Sequence, residues 1–195
     1  MKSRYSFFTI LIFIILPTSL FANKDSLRHN NNELKQILTK AYNAIVANPD
    51  SAQQIISTAD KLVETTNDKS LKALYFRYKG LIYQLNFDPN NALTYYFLSQ
   101  KIYIELSDST NTNILSNGIG GCYMMTGEYL TAKKYLTEAL QYAEQINDST
   151  TITNTCINLS YIHIDQKEYD IAESQLHKAL KYVKTEIQKC RIINN

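Results

Sequence analysis

The 195-residue chain has no tryptophan and only three prolines, five glycines and three cysteines. So few turn-forming residues argue against a protein made of tight hairpins and favour long helices. Neither sign of charge dominates: 20 Lys and Arg face 18 Asp and Glu, and the excess is Lys2 and Arg4 at the N-terminus. Such a balanced body lacks the positive field that nucleic-acid binding by counterion release requires. An acidic tail and a polybasic membrane patch are equally missing. Beyond Phe21 no apolar run reaches the ~20 residues that span a bilayer. The cysteines, Cys122, Cys156 and Cys190, show no CxxC spacing and have no histidine three to five residues away, so no zinc site is expected. Being odd in number, they leave at least one thiol without a partner in the chain. They read as small buried hydrophobes, with Cys122 and Cys156 too far out of register to be bridged.

What is present is apolar enough to fold: 45% hydrophobic residues and 15 tyrosines, in a length that suits one domain. Residues 1–22 have the order of a secretory leader. A basic start is followed by the apolar Phe7 to Leu16, the break Pro17-Thr18-Ser19, and Ala22 ahead of a polar run. The chain is therefore expected to be exported, with the periplasm as its compartment, the leader cut after Ala22 and no membrane span left. An uncleaved anchor is the alternative. Residues 23–32 read as a polar linker.

From Glu33 the sequence repeats every 40 residues, which sets boundaries at 33–72, 73–112, 113–152 and 153–192. One column reads Ala52, Ala92, Ala132, Ala172. Four residues on come Ile56, Tyr96, Leu136, Leu176, and three further Ala59, Ser99, Ala139, Ala179. Upstream stand Lys40, Gly80, Gly120, Ser160, then Asn43, Tyr83, Tyr123, His163. The linkers Asn67-Asp68, Ser107-Asp108 and Asn147-Asp148 keep phase. Spacings of three, four and seven put each set on one face of a helix, so every segment predicts two helices. Gly80 and Gly120 then let the paired helix approach closely, against the alanine column. Pro49 and Pro89 suit the first turn of a following helix.

The pattern resembles the tetratricopeptide repeat family, through Gly80, Tyr83, Ala92 and Tyr96, through Gly120, Tyr123, Ala132 and Leu136, and most fully in GGCYMMTGEYLTAKKYLTEAL. The resemblance covers Glu33 to about Gln188. It implies an all-α, right-handed α-solenoid of four stacked helix-turn-helix repeats, the first degenerate. The period exceeds the family's usual 34 residues, which implies a longer second helix or a longer linker.

No constellation for chemistry stands out, so no catalytic, cofactor-binding or metal-binding residue is assigned and no enzyme is expected. Gly118-Ile119-Gly120-Gly121 falls inside a helix and lacks the Lys-Ser/Thr of a phosphate loop. His163 replaces a tyrosine in a packing column and reads as a satisfied core histidine. What remains is surface. The concave face of such a solenoid is lined by the first helices and suits extended or helical peptides. The stripe beside the packing column gives the candidate groove: Arg77, Leu81 and Gln84; Asn117, Gly121, Met124 and Met125; Asn154, Ile157, Tyr161 and Asp165. The expected partner is a protein or peptide. Leu180, Val183, Ile187, Ile192 and Ile193 form an uncapped C-terminal edge that could drive dimerisation. By resemblance to exported bacterial arrays of this long period, the alternative role is the sensory front of a membrane-bound histidine kinase or helix-turn-helix regulator.

Overall fold

The structure is a computed structural model; it describes residues 18–45, 47–183, 189 and 193, with side chains from Ser26 onward. Residues 1–17 of the leader, Ile187, Cys190 and Ile192 lie outside the described residues. Nine helices are described: α1 Thr18–Ile45, α2 Pro49–Ser57, α3 Asp60–Thr65, α4 Lys69–Leu85, α5 Pro89–Glu105, α6 Ser109–Met125, α7 Tyr129–Gln145, α8 Ser149–Asp165 and α9 Tyr169–Tyr182. Helices α4 to α8 have 17 residues each and are joined by three-residue turns, and the starts of α4 to α9, at 69, 89, 109, 129, 149 and 169, recur every 20 residues. The long period therefore resides in the helices, shared by both members of a pair. The boundaries expected at 73, 113 and 153 fall one turn inside α4, α6 and α8.

One turn chemistry makes each joint from α4 to α9. After α4, the Phe87 N–H donates to the Gln84 carbonyl and the Asp88 N–H to that of Tyr83, closing a Schellman motif. The residue at the bend is left-handed at each of the five joints from α4 to α9: Phe87, Ser107, Gly127, Asn147 and Lys167, with φ of 58°, 56°, 80°, 56° and 60°. The next residue starts the following helix. Asp88 and Asp108 accept from the backbone N–H three residues on, at 3.1 and 2.9 Å, and Asp148 accepts from Thr150 and Thr151. These side chains satisfy N–H groups that a helix start leaves open. Asp68 caps α4 in the same way, accepting from the Leu71 N–H at 3.1 Å, so the in-phase aspartates Asp68, Asp108 and Asp148 are all caps.

Helices pair in order, α4 with α5, α6 with α7, α8 with α9, and each second helix packs on the next first helix. The first helices also touch one another, α1 to α4 to α6 to α8, and so form the inner layer. The column Ala52, Ala92, Ala132, Ala172 is buried throughout. A Cβ on Gly80 would lie 2.6 Å from the Tyr96 ring, and one on Gly120 2.7 Å from Leu136 Cγ. Both glycines are thus where the paired helix comes closest. Ser99 enters an alanine column by donating to the Ala73 carbonyl at 2.7 Å.

The first repeat departs from the pattern. Its second helix is split into α2 and α3 at Thr58-Ala59, where N–H groups reach back only three residues and the Ser57 and Thr58 hydroxyls bond nearby carbonyls. Lys40 and Asn43, aligned with Gly80 and Tyr83, are exposed; Ala41, one residue on, is the buried small residue. Residues 23–32, read as a linker, are helical within α1. The reason is a buried stripe: Leu27, Asn30 and Asn31 are partly covered on the face that continues through Leu34 and Leu38, and Asn31 accepts from the Thr66 hydroxyl at 2.6 Å.

Candidate binding groove

The inner layer carries a set of polar side chains that reach from one first helix to the next. Gln84 on α4 accepts from the Tyr96 hydroxyl at 2.8 Å and donates to the Gly118 carbonyl on α6 at 3.4 Å. Burial pushes the Tyr96 phenol well above its ordinary pKa, so it keeps the proton it donates. Asn117 on α6 accepts from Thr155 at 3.0 Å and from Asn158 at 3.3 Å, both on α8. Arg77 donates to Asn111 at 2.7 Å, again from α4 to α6. These cross-helix bonds hold the amide groups in place before any ligand arrives.

Three clefts open along this layer. The largest, about 490 Å³, is lined by Leu81, Gln84, Leu85, Phe87, Asn117, Gly118, Met125, Asn154 and Asn158. A narrower one of about 140 Å³ adjoins it through Leu81, Gln84, Asn117 and Gly118, and reaches Arg77 and Tyr96. A third, about 400 Å³, is lined by Met124, Tyr129, Tyr161, Ile164 and Asp165. Nine of the eleven groove residues expected from sequence line these clefts: Arg77, Leu81, Gln84, Asn117, Met124, Met125, Asn154, Tyr161 and Asp165.

Two do not. Ile157 is fully buried in the core shared by α7, α8 and α9, because α8 is covered on more sides than a stripe drawn on one face allows. Gly121 is also buried: Gln84 lies across it, so that a Cβ there would meet Nε2 at 2.5 Å. Its place is under the groove, letting the amide of one repeat cross the helix of the next. Sequence reasoning missed Leu85, Phe87 and Asn158. Leu85 is the last residue of α4, one helical turn past Leu81, whereas Phe87 belongs to the turn that follows, where helical spacing gives no direction. Asn158 lies one residue from Ile157 and was legible only as a polar neighbour.

Away from the groove, Lys79 is buried beside Asp60, with Nζ 3.3 and 3.4 Å from the two carboxylate oxygens and 5.1 and 5.2 Å from the Tyr75 and Tyr95 ring centres. Tyr75 donates to the same carboxylate at 2.5 Å. The cluster ties α3 to α4. His163 bonds Glu168 at 2.5 Å across the α8–α9 turn, a partner that satisfies a buried ring. Cys122 and Cys156 are free and buried. Among the described residues no group of three or more His, Cys, Asp or Glu could hold a metal ion, and no helix is long and apolar enough to cross a membrane.

No family model matches the chain, and no curated protein matches it in sequence. Among solved structures it is similar to BtubC (BKLC) from P. vanneervenii, with a TM-score of 0.57, 16% identity, and coverage of 83% of this chain and 76% of that one. At that identity the likeness is one of architecture. Helix order, pairing and this likeness agree: the fold is an all-α solenoid of stacked helix pairs of the tetratricopeptide type.

Proposed function

We propose that the chain is an exported, non-catalytic scaffold that binds a peptide or helix of another protein in the groove of its first helices. The observation that carries the reading is the inner layer itself. Amide groups fixed by cross-repeat hydrogen bonds lie between apolar side chains that water still reaches, among them Met125 and Tyr161. A half-covered mixture of oriented polar groups and apolar anchors is what a recognition surface needs. The leader supports export, and the fold supports a protein as the partner. The test is site-specific photocrosslinking. A benzophenone amino acid at Met125 or Tyr161 is expected to give adducts in envelope extract, and one at Lys134, on the exposed side of α7, is not. Adducts from Lys134 as abundant as from Met125, or none from the groove, would overturn the reading.

A further inference from the structure

The five left-handed helix ends share one backbone solution but not one kind of residue. Ser107, Asn147 and Lys167 are polar and Gly127 has no side chain, so none of these four turns sets an apolar group in water. Phe87 is the exception: a bulky aromatic residue at φ 58°, 86% exposed. The other four joints show that the turn itself asks for no aromatic group. The left-handed backbone is common to Ser107, Asn147 and Lys167; what Phe87 alone adds is a solvated ring with no return inside its own fold. An exposed ring kept at one of several equivalent positions, with the partly exposed Leu85 and Met125 beside it, points to a role outside folding.

Its location says which. Phe87 stands at the groove cleft of about 490 Å³ together with Leu85 and Met125, above the amides of Gln84, Asn117 and Asn158. No ionisable side chain lines that cleft. A charged group entering it would lose water and meet no counter-charge in its walls, Arg77 of the adjoining cleft being engaged by Asn111. Oriented amides can serve both the N–H and the C=O of an extended backbone. We propose that Phe87 is the anchor of the groove, and that the segment bound beside it is an extended, uncharged peptide stretch whose apolar side chain packs against Phe87, Leu85 and Met125. The inference rests on the groove being the binding face and adds the residue and the ligand chemistry.

The probe is a random dodecapeptide library displayed on phage and panned on the full chain, with enriched peptides then synthesised and titrated by fluorescence anisotropy. Enriched sequences are expected to contain a stretch free of Asp, Glu, Lys and Arg around an aromatic or aliphatic residue. Phe87→Gly should weaken their binding at least tenfold while Tm stays level or rises, since glycine relieves the turn. Affinity unchanged within twofold in Phe87→Gly, enrichment of charged motifs, or no enrichment would each overturn the proposal. So would a wild-type dimer in sedimentation that Phe87→Gly converts to monomer, because the occupant would then be a second copy. Met125→Glu separates the two levels of the argument. If it abolishes binding and Phe87→Gly does not, the groove stands and the anchor falls; if neither matters, both fall.

Discussion

At the scale of single residues, the turns hold free energy that can be measured without touching the core. Gly127 has φ 80° and nothing within 4 Å of where a Cβ would go, so any cost of Gly127→Ala comes from the backbone alone. A left-handed conformation costs an L-residue about 1–2 kcal/mol, and urea titration should show that loss with an unchanged slope. Lys167→Gly at the equivalent joint should move the other way. Its gain is cut by the extra freedom glycine has when unfolded, roughly 0.4–1 kcal/mol, so a net gain below about 1 kcal/mol is expected. If both variants lose stability, the turns are not strained as described. Glu168 gives a second residue-scale test. The hydrogen bond from His163, joined by the Lys133 charge, holds its carboxyl below the ordinary carboxylate value. A depressed folded pKa stabilises the native state above the unfolded value, near 4.3, and that stability drains away as pH falls through the folded pKa. Glu168→Gln should therefore flatten the acid limb of the Tm–pH curve below about pH 4.3. An acid limb identical to wild type would show that the pair contributes nothing.

At the scale of the helix pair, packing geometry makes Gly120 irreplaceable and leaves Lys134 free. A Cβ at Gly120 would meet Leu136 at 2.7 Å and the Ala132 carbonyl at 3.2 Å, and a backbone atom cannot swing aside. Gly120→Val should cost about 1–3 kcal/mol or more, and Lys134→Val, on an exposed position of α7, about 0.5 kcal/mol or less. Equal losses in chemical melts would mean that the helices do not meet at Gly120. The same geometry explains how much of the fold could be read in the sequence. Close approach demands small residues at fixed intervals, so Gly80, Gly120 and the alanine column print the 40-residue period directly. The capping aspartates Asp68, Asp108 and Asp148 print the joints into α4, α6 and α8, where a short side-chain acceptor closes the helix start, while Glu128 and Glu168 begin α7 and α9 without a side-chain cap. The first repeat was harder to read because its packing residue, Ala41, sits one place from the column, and its stripe begins among asparagines that polarity alone assigns to a linker. The groove was legible where a residue lay within a helix, as with Leu81, Gln84 and Asn117. Ile157 was misplaced because periodicity gives the direction of a side chain but not how many neighbours surround it. Phe87 was not legible because helical spacing gives no direction in a turn, and no other joint in the series carries an aromatic residue.

At the scale of the whole molecule, a solenoid is held by neighbours only, so its ends should open before its middle. The C-terminal pair is built unevenly. Nine residues of α8 are buried, but only Ala172 and Ala179 of α9 are, aided by an ion pair between Lys178 and Glu144. Cys156 lies in the cluster that α9 closes, with Ala179, Leu140 and Ala143. Cys122 lies mid-array among Ala92, Tyr96, Tyr103 and Leu115. Burial raises both thiols, Cys122 to about 12 and Cys156 to about 11, so neither reacts appreciably in the closed state and labelling reports opening. In a Cys190→Ser background, native-state alkylation should modify Cys156 at least tenfold faster than Cys122, a gap equivalent to about 1.4 kcal/mol in opening free energy. Ala179→Gly, which loosens α9 alone, should speed Cys156 and leave Cys122 nearly unchanged. Raising urea should bring the two rates together as global unfolding overtakes the local route. If both cysteines react at one rate in water, and Ala179→Gly accelerates them equally, the array opens as a single unit and the nearest-neighbour account of its stability is wrong.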